Sequence, residues 1–258
     1  MSIVTFTTDF GFSDGYVGAM KGVVLSLSPS ATLVDITHGI AAQDVVGGAM
    51  ALAQAVPLFP PGTIHVAVVD PGVGGTRADV VVEAGGFMFV GPDNGLLSLA
   101  APPPRRIHRI DAATFRREPV SPTFHGRDVF APTAGRLAAG LPPSAAGPPL
   151  PELVELDAPL VRRLGDRVEG AVTHVDGFGN LLTSLMASVI PPDARVEVLG
   201  QGGAFRPTFG TTFADVSPGA LVAYVGSSGY LEIGLRDGSA AELTGAVRGS
   251  TVRLRRGA

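Results

Sequence analysis

Cysteine and tryptophan are both absent from the 258-residue chain. Without cysteine there is no disulfide framework, no thiolate metal site and no cysteine nucleophile. Lysine occurs once, at Lys21, beside 18 arginines, and 23 acidic residues outnumber the 19 basic ones for a net charge of -4. That balance offers no concentrated basic footprint for a phosphate backbone, which disfavours a nucleic-acid partner. Charged residues of both signs reach only 16% while apolar residues make up 45%, and the mean hydropathy is +0.34. This is far from the composition of disordered chains. No apolar run approaches the roughly 18 residues of a membrane span, and the start, MSIVTFTTDFG, lacks the basic-then-apolar pattern of a secretion signal. A soluble cytoplasmic protein with no membrane contact is expected. What the chain does have is backbone punctuation, with 35 glycines and 22 prolines. Turns and backbone-lined sites follow from that.

The first half alternates β-branched runs with helical spacing, which predicts a central, mostly parallel sheet flanked by helices, an α/β fold. Strands are expected at 3–8, 31–36, 63–69, 79–83 and 87–90, with helices across 15–28 and 47–56. Residues 101–122 are rich in Pro and Arg, and a further helix is expected over 128–139 with Asp128 as its N-cap. The segment 141–160, dense in Pro and Ala, reads as a linker between an α/β domain (1–140) and a second domain (161–258). In the latter, short apolar runs at 168–175, 180–185, 195–199, 221–225, 230–235 and 251–255 are separated by Gly, Pro and Asp, which predicts a small all-β domain of barrel-like type.

Three acids follow predicted strands: Asp9, Asp70 and Asp93. Ligands in open α/β sheets bind beyond the carboxyl ends of strands, so this repeated placement marks one rim as the site. Familiar motifs do not fill it. The glycines of Gly72-Val73-Gly74-Gly75-Thr76-Arg77 fail as a dinucleotide fingerprint because Arg77 stands where the third glycine belongs, and no phosphate-binding loop ending in Lys-Ser or Lys-Thr occurs. Ser227 and Ser228 do not form a nucleophile elbow, and no cluster with metal-ligand spacing is present. His38 and His65 read as core histidines, and His108 and His174 have no functional context. The residues left in tight polar settings are Asp9 and Asp14, Asp70 and Arg77, and His125 with Arg127 and Asp128. Asp70 and Arg77 can meet across their Gly-rich loop and hold each other charged.

The strings TTDFGFSDGYVGAMKG, DITHGI with Gln43 and Asp44 after it, FPPGTIHVAVVDPGVGGTR, VGPDNGLL, FHGRDVFAP, VDGFGNLLTS and SSGYLEI follow one another in this order. Together they resemble the adenosine-forming S-adenosylmethionine hydrolases, also called S-adenosylmethionine hydroxide adenosyltransferases, relatives of the fluorinases and chlorinases. The resemblance spans nearly the whole chain. It implies a homotrimer with active sites between subunits, S-adenosylmethionine as the small-molecule substrate, and no cofactor or metal. It places Asp70, Arg77 and His125 at a water site as the catalytic trio; the halogenases carry a tyrosine in place of the aspartate, so Asp70 points to water as nucleophile. Asp9 matches the acid on the ribose hydroxyls, Asp14 and Asp176 match acids near the methionine ammonium, and Phe178 and Asn180 match the adenine side. Ser227 and Glu232 match the methionine end, while Ser228 replaces an arginine that holds the substrate carboxylate in the halogenases.

The chemistry so implied is economical. A sulfonium departs as a neutral thioether, so attack at ribose C5' needs neither a metal nor a general acid. Only the water needs orientation and loss of a proton. The sequence leaves open whether Asp70 or His125 takes that proton. Two other readings remain: a metal-dependent phosphohydrolase using Asp9, Asp70, His125 and Asp128, and a nucleoside or S-adenosylmethionine binding module without turnover.

Overall fold

The computed structural model describes residues 2–156 and 161–256. The chain divides into two compact units, Met1–Asp157 and Ala158–Ala258. It has a mixed-sheet α/β architecture with few helices, and none of the described helices is long and apolar enough to cross a membrane.

In the first unit the strands are β1 (Ile3–Thr8), β2 (Thr32–Thr37), β3 (Ile64–Val68), β4 (Asp79–Ala84), β5 (Phe87–Pro92), β6 (Arg105–Arg109) and β7 (Pro149–Leu150). They form one sheet in the order β2-β1-β3-β5-β4-β6-β7. The half β2-β1-β3-β5 is parallel, and β4, β6 and β7 join antiparallel. The expectation of a mostly parallel sheet therefore holds for only half of it. The cause is local: β4 and β5 are joined by Gly85 and Gly86, both at positive φ (58° and 87°). A two-residue glycine turn closes a hairpin and cannot make the long crossover that parallel strands require.

Along β3 the side chains alternate. Ile64, Val66 and Val68 enter one core with Val4, Phe6, Met20 and Phe130, while Ala67 and, just past the strand, Val69 enter a second core with Leu52, Val80, Val82 and Phe89. Helix α1 (Tyr16–Leu27) buries Val17, Met20 and Val24, one apolar stripe at helical spacing, and α2 (Val45–Ala55) begins where the Asp44 carboxylate accepts from the Gly47 N–H. Helix α3 (Ala131–Ala138) is preceded by one π-helical turn, Gly126–Phe130. Asp128 is inside that turn and is not an N-cap; its carboxylate accepts from Arg127 and from the Ser121 N–H. The Pro-rich stretch read as a linker is folded on this unit up to Leu156: β7 pairs with β6, and Ala146 and Leu153 are buried in the two cores. Residues 157–160, the end of that stretch, lie outside the described residues.

The second unit holds β8 (Val161–Leu164), β9 (Arg167–Val175), β10 (Leu181–Met186), β11 (Ala194–Gly200), β12 (Gly203–Phe205), β13 (Thr208–Phe209), β14 (Leu221–Val225), β15 (Tyr230–Leu235), the short helix α4 (Ala240–Thr244) and β16 (Thr251–Arg256). The order is β12-β11-β16-β9-β10-β15-β14-β13, with β8 on β9, and among the described residues only β13 and β14 pair in parallel. Register shifts in β10 near Leu182, on both sides of the strand, bend it. Val168, Val172, Leu181, Val196, Ile233 and Val252 lead its core.

Candidate active site

Because β1, β3 and β5 are parallel, their carboxyl ends share one rim, where Asp9, Asp70 and Asp93 emerge. Strand β4 runs the other way, so its first residue, Asp79, pairs with Pro92 at the end of β5 and reaches the same rim. Asp9 and Asp70 line a cavity of about 600 Å³ with Phe10, Tyr16, Gln43, Phe124 and His125. Asp93 does not line it. Its carboxylate accepts from the Val154 N–H at 2.8 Å, and burial holds it above the usual carboxylate range.

Arg77 lies behind the cavity wall, 11% exposed. Its Nε donates to Asp70 Oδ1 at 3.0 Å and its Nη2 to Asp70 Oδ2, a bidentate pair, while Nη1 donates to Asp79 Oδ1. These two carboxylates hold the guanidinium above its ordinary range, against the desolvation that burial imposes. His125 Nδ1 lies 3.1 Å from both Arg77 Nη2 and Asp79 Oδ1. The four side chains thus form one connected cluster, with the Phe130 ring 5.6 Å beneath the Arg77 guanidinium.

Two glycines bring the segments this close. Gly74 sits at φ 74°, where a β-carbon would also overlap the Pro122 carbonyl oxygen, so the 70–77 loop packs directly on the segment before His125. At Gly126 a β-carbon would stand 3.1 Å from Met20 Sδ and 3.2 Å from the Phe124 ring. The open wall is aromatic: Phe10, Tyr16 and Phe124 contact one another with ring centroids 5.2–6.0 Å apart. Asp9 Oδ2 accepts from the Gln43 N–H at 2.8 Å. Asp14 is exposed and does not line the cavity. The four acid and histidine ligands of the metal reading are not brought together: Asp128 is turned to Arg127, and among the described residues no group of three or more His, Cys, Asp or Glu is placed to hold a metal ion.

In the second unit, Asp176, Phe178 and Asn180 line a separate concavity with Thr212, Phe213, Leu235 and Arg236. Asp176 builds its floor, accepting from the Phe178 and Asn180 N–H groups and from Asn180 Nδ2, each at 2.9 Å. Phe178 is 83% exposed. Ser227 and Glu232 do not line this concavity. Glu232 instead bonds to the Tyr224 hydroxyl and folds beneath the turn 226–229, close enough that a β-carbon at Gly226 would collide with its carboxylate. Burial, then the Asp176 charge, holds Glu232 above the usual carboxylate range. In that same turn Ser228 Oγ is buried without a hydrogen-bond partner among the described residues.

Sequence reasoning overlooked Asp79 and the aromatic wall. The glycine pair at 85–86 was a usable signal for Asp79, because it reverses β4 and so brings that strand's first residue to the rim. The aromatic wall had no comparable signal.

Residues 4–147 match the family model described as SAM hydroxide adenosyltransferase N-terminal domain, and residues 170–253 match the corresponding C-terminal domain. A Thermus thermophilus protein named (R)-S-adenosyl-L-methionine hydrolase is 43% identical over 98% of this chain and all of its own length. One of the same name from Salinispora tropica is 42% identical over 98% of each chain. A crystal structure of an uncharacterized conserved protein from Thermotoga maritima superposes with a TM-score of 0.89 at 31% identity, covering 99% of this chain and all of that one. The chain belongs to the SAM hydroxide adenosyltransferase family.

Proposed function

We propose that the protein hydrolyses S-adenosyl-L-methionine to adenosine and L-methionine. The observation that carries this reading is the Asp70–Arg77–His125 cluster at the rim cavity, in a chain about 42% identical to proteins named for that reaction. In the reaction a water oxygen attacks ribose C5', the C5'–S bond breaks with its electron pair passing to sulfur, and the water gives up a proton to the enzyme. Methionine leaves as a neutral thioether.

Asp70 and His125 face the cavity and orient the water. Arg77, whose donors are spent on two carboxylates, acts by fixing Asp70. Asp9 is restrained on one oxygen by the Gln43 N–H, which leaves the other for a ribose hydroxyl. The aromatic wall suits the apolar faces of the nucleoside, and Asp14, Asp176, Phe178, Asn180, Ser227 and Glu232 complete the substrate contacts. In this reading the second unit is barrel-like and the enzyme is a cytoplasmic homotrimer in which each site draws on two subunits. The exposed Phe178 ring at the lip of its concavity supports that arrangement.

Incubation with S-adenosylmethionine in chloride buffer, followed by chromatography, tests the reading. Adenosine and methionine in equal amounts are expected. A 5'-halo-adenosine would replace hydrolysis with halogenation, and recovery of intact ligand would leave only binding. Light scattering should give about three times the chain mass.

A further inference from the structure

We propose that Asp79 is a positioning residue for the hydrolytic water: it fixes the tautomer of His125 so that Nε2, and not Asp70, accepts the water's proton. The inference rests on the hydrolase reading above, and it makes the site a linked group of four side chains in place of three.

The geometry decides the tautomer. His125 Nδ1 has two neighbours at 3.1 Å, the Asp79 carboxylate, which only accepts, and Arg77 Nη2, which only donates. Arg77 Nη2 already has an acceptor in Asp70 Oδ2. If Nδ1 carried a lone pair, that pair would face the Asp79 oxygen, with repulsion on one side and a redundant donor on the other. With a proton on Nδ1, the ring donates a charge-assisted bond to Asp79 and its Nε2 bears the lone pair. Nε2 has no partner among the described residues, and the ring lines the cavity. Asp70 is placed differently: both of its oxygens accept from Arg77, so both are committed to the ion pair.

Asp79 is buried, 8% exposed, and it also faces Arg116, whose Nη2 lies 3.9 Å from Oδ2 and nearer, at 3.4 Å, to Asp111. Asp79 Oδ1 is therefore held by Arg77 Nη1 and turned to His125 Nδ1. The other charged groups near the ring, Arg127 and Asp128 on its own helix, pair with each other. Without Asp79, Arg77 Nη2 would become the sole neighbour of Nδ1. The proton would then move to Nε2, and the ring would present a donor to the water where an acceptor is needed.

Two measurements test the assignment. In wild-type protein labelled with nitrogen-15 histidine, with His125 identified by its loss in His125→Gln, the nitrogen shifts at neutral pH should report a proton on Nδ1 and none on Nε2; the opposite tautomer overturns the proposal. This reading needs no turnover, so it stands apart from the hydrolase reading, which fails separately if the wild type releases no adenosine. In Asp79→Asn and Asp79→Ala, kcat should fall by about tenfold or more while KM and the calorimetric affinity for adenosine stay within about twofold. A lowered melting temperature with wild-type kcat would make Asp79 a structural residue only and overturn the proposal.

Discussion

In the first unit Asp70 and Asp79 each receive hydrogen bonds from a guanidinium, whereas in the second unit Asp176 and Glu232 form no ion pair among the described residues. The first arrangement is ion-paired and stiff, with Arg77 clamped from both sides. It suits the orientation of an uncharged water. The second leaves negative charge uncompensated, with Glu232 held by a tyrosine hydroxyl and Asp176 by backbone N–H groups. An excess of carboxylate held this way favours a cationic ligand, and the proposed substrate carries two cations, an ammonium and a sulfonium.

The largest effect that would break this contrast is expected at Arg77. Arg77→Met removes the counter-charge from two buried carboxylates, and a buried pair deprived of one partner costs about 3 kcal/mol or more. Chemical denaturation should report that loss, and adenosine release should fall at least about a hundredfold, because Asp70 loses its bidentate anchor. A stable variant with near-normal turnover would mean that the carboxylates do not depend on the guanidinium.

Next in size is a test of what burial does to a charge with no partner. His65 is fully buried against Phe59, Phe87 and Phe89, its Nδ1 bonded to Thr5 Oγ1 and its Nε2 without a partner among the described residues, and burial pushes its pKa down to about 4. The unfolded chain takes up this proton near pH 6.5 and the folded chain only near 4. Stability is therefore full above about pH 6.5 and declines as pH falls toward 4, by about 2 to 3 kcal/mol between pH 7.5 and 4.5. Urea titrations at those two pH values should show this decline in the wild type and a smaller one in His65→Phe. Equal declines would assign the acid sensitivity to other groups.

These contrasts also mark how far the sequence could be read. Strands whose apolar run is bounded by turn residues were legible almost to the residue: 3–8, 221–225 and 230–235 are strands in the structure. The two members of the first-unit cluster that meet across a glycine loop, Asp70 and Arg77, were legible because only six residues of turn separate them. His125 and Asp9 join the same cavity from distant segments: Asp9 was marked by its place after a strand and His125 by its tight polar setting, and the family resemblance supplied their roles. Asp79 was overlooked because its place depends on β4 running antiparallel, which the run DVVVEA does not carry and only the Gly85–Gly86 turn after it signals. The Pro-rich segment misled for a related reason: prolines exclude interior strands but tolerate an edge, and the two-residue β7 is an edge strand.

The smallest expected effect completes the comparison from the other side. Glu232 is buried beside Tyr224 and near Asp176, and its carboxyl is held above the usual carboxylate range by burial first and by Asp176 next. Its folded form therefore binds a proton that the unfolded chain has already released near pH 4.5. The sign is opposite to that of His65: stability contributed at low pH is lost as pH rises through the folded value, and at neutral pH the ionised group carries a cost. Glu232→Gln removes that cost while keeping the Tyr224 contact, so the melting temperature at pH 7.5 should rise by about 1–3 °C. If Glu232 serves the cationic end of the substrate as proposed, the same change should raise KM for S-adenosylmethionine more than it lowers kcat. If Glu232→Gln were instead less stable at pH 7.5 than the wild type, an unseen cation would have to be compensating the carboxylate, and the second unit would resemble the first.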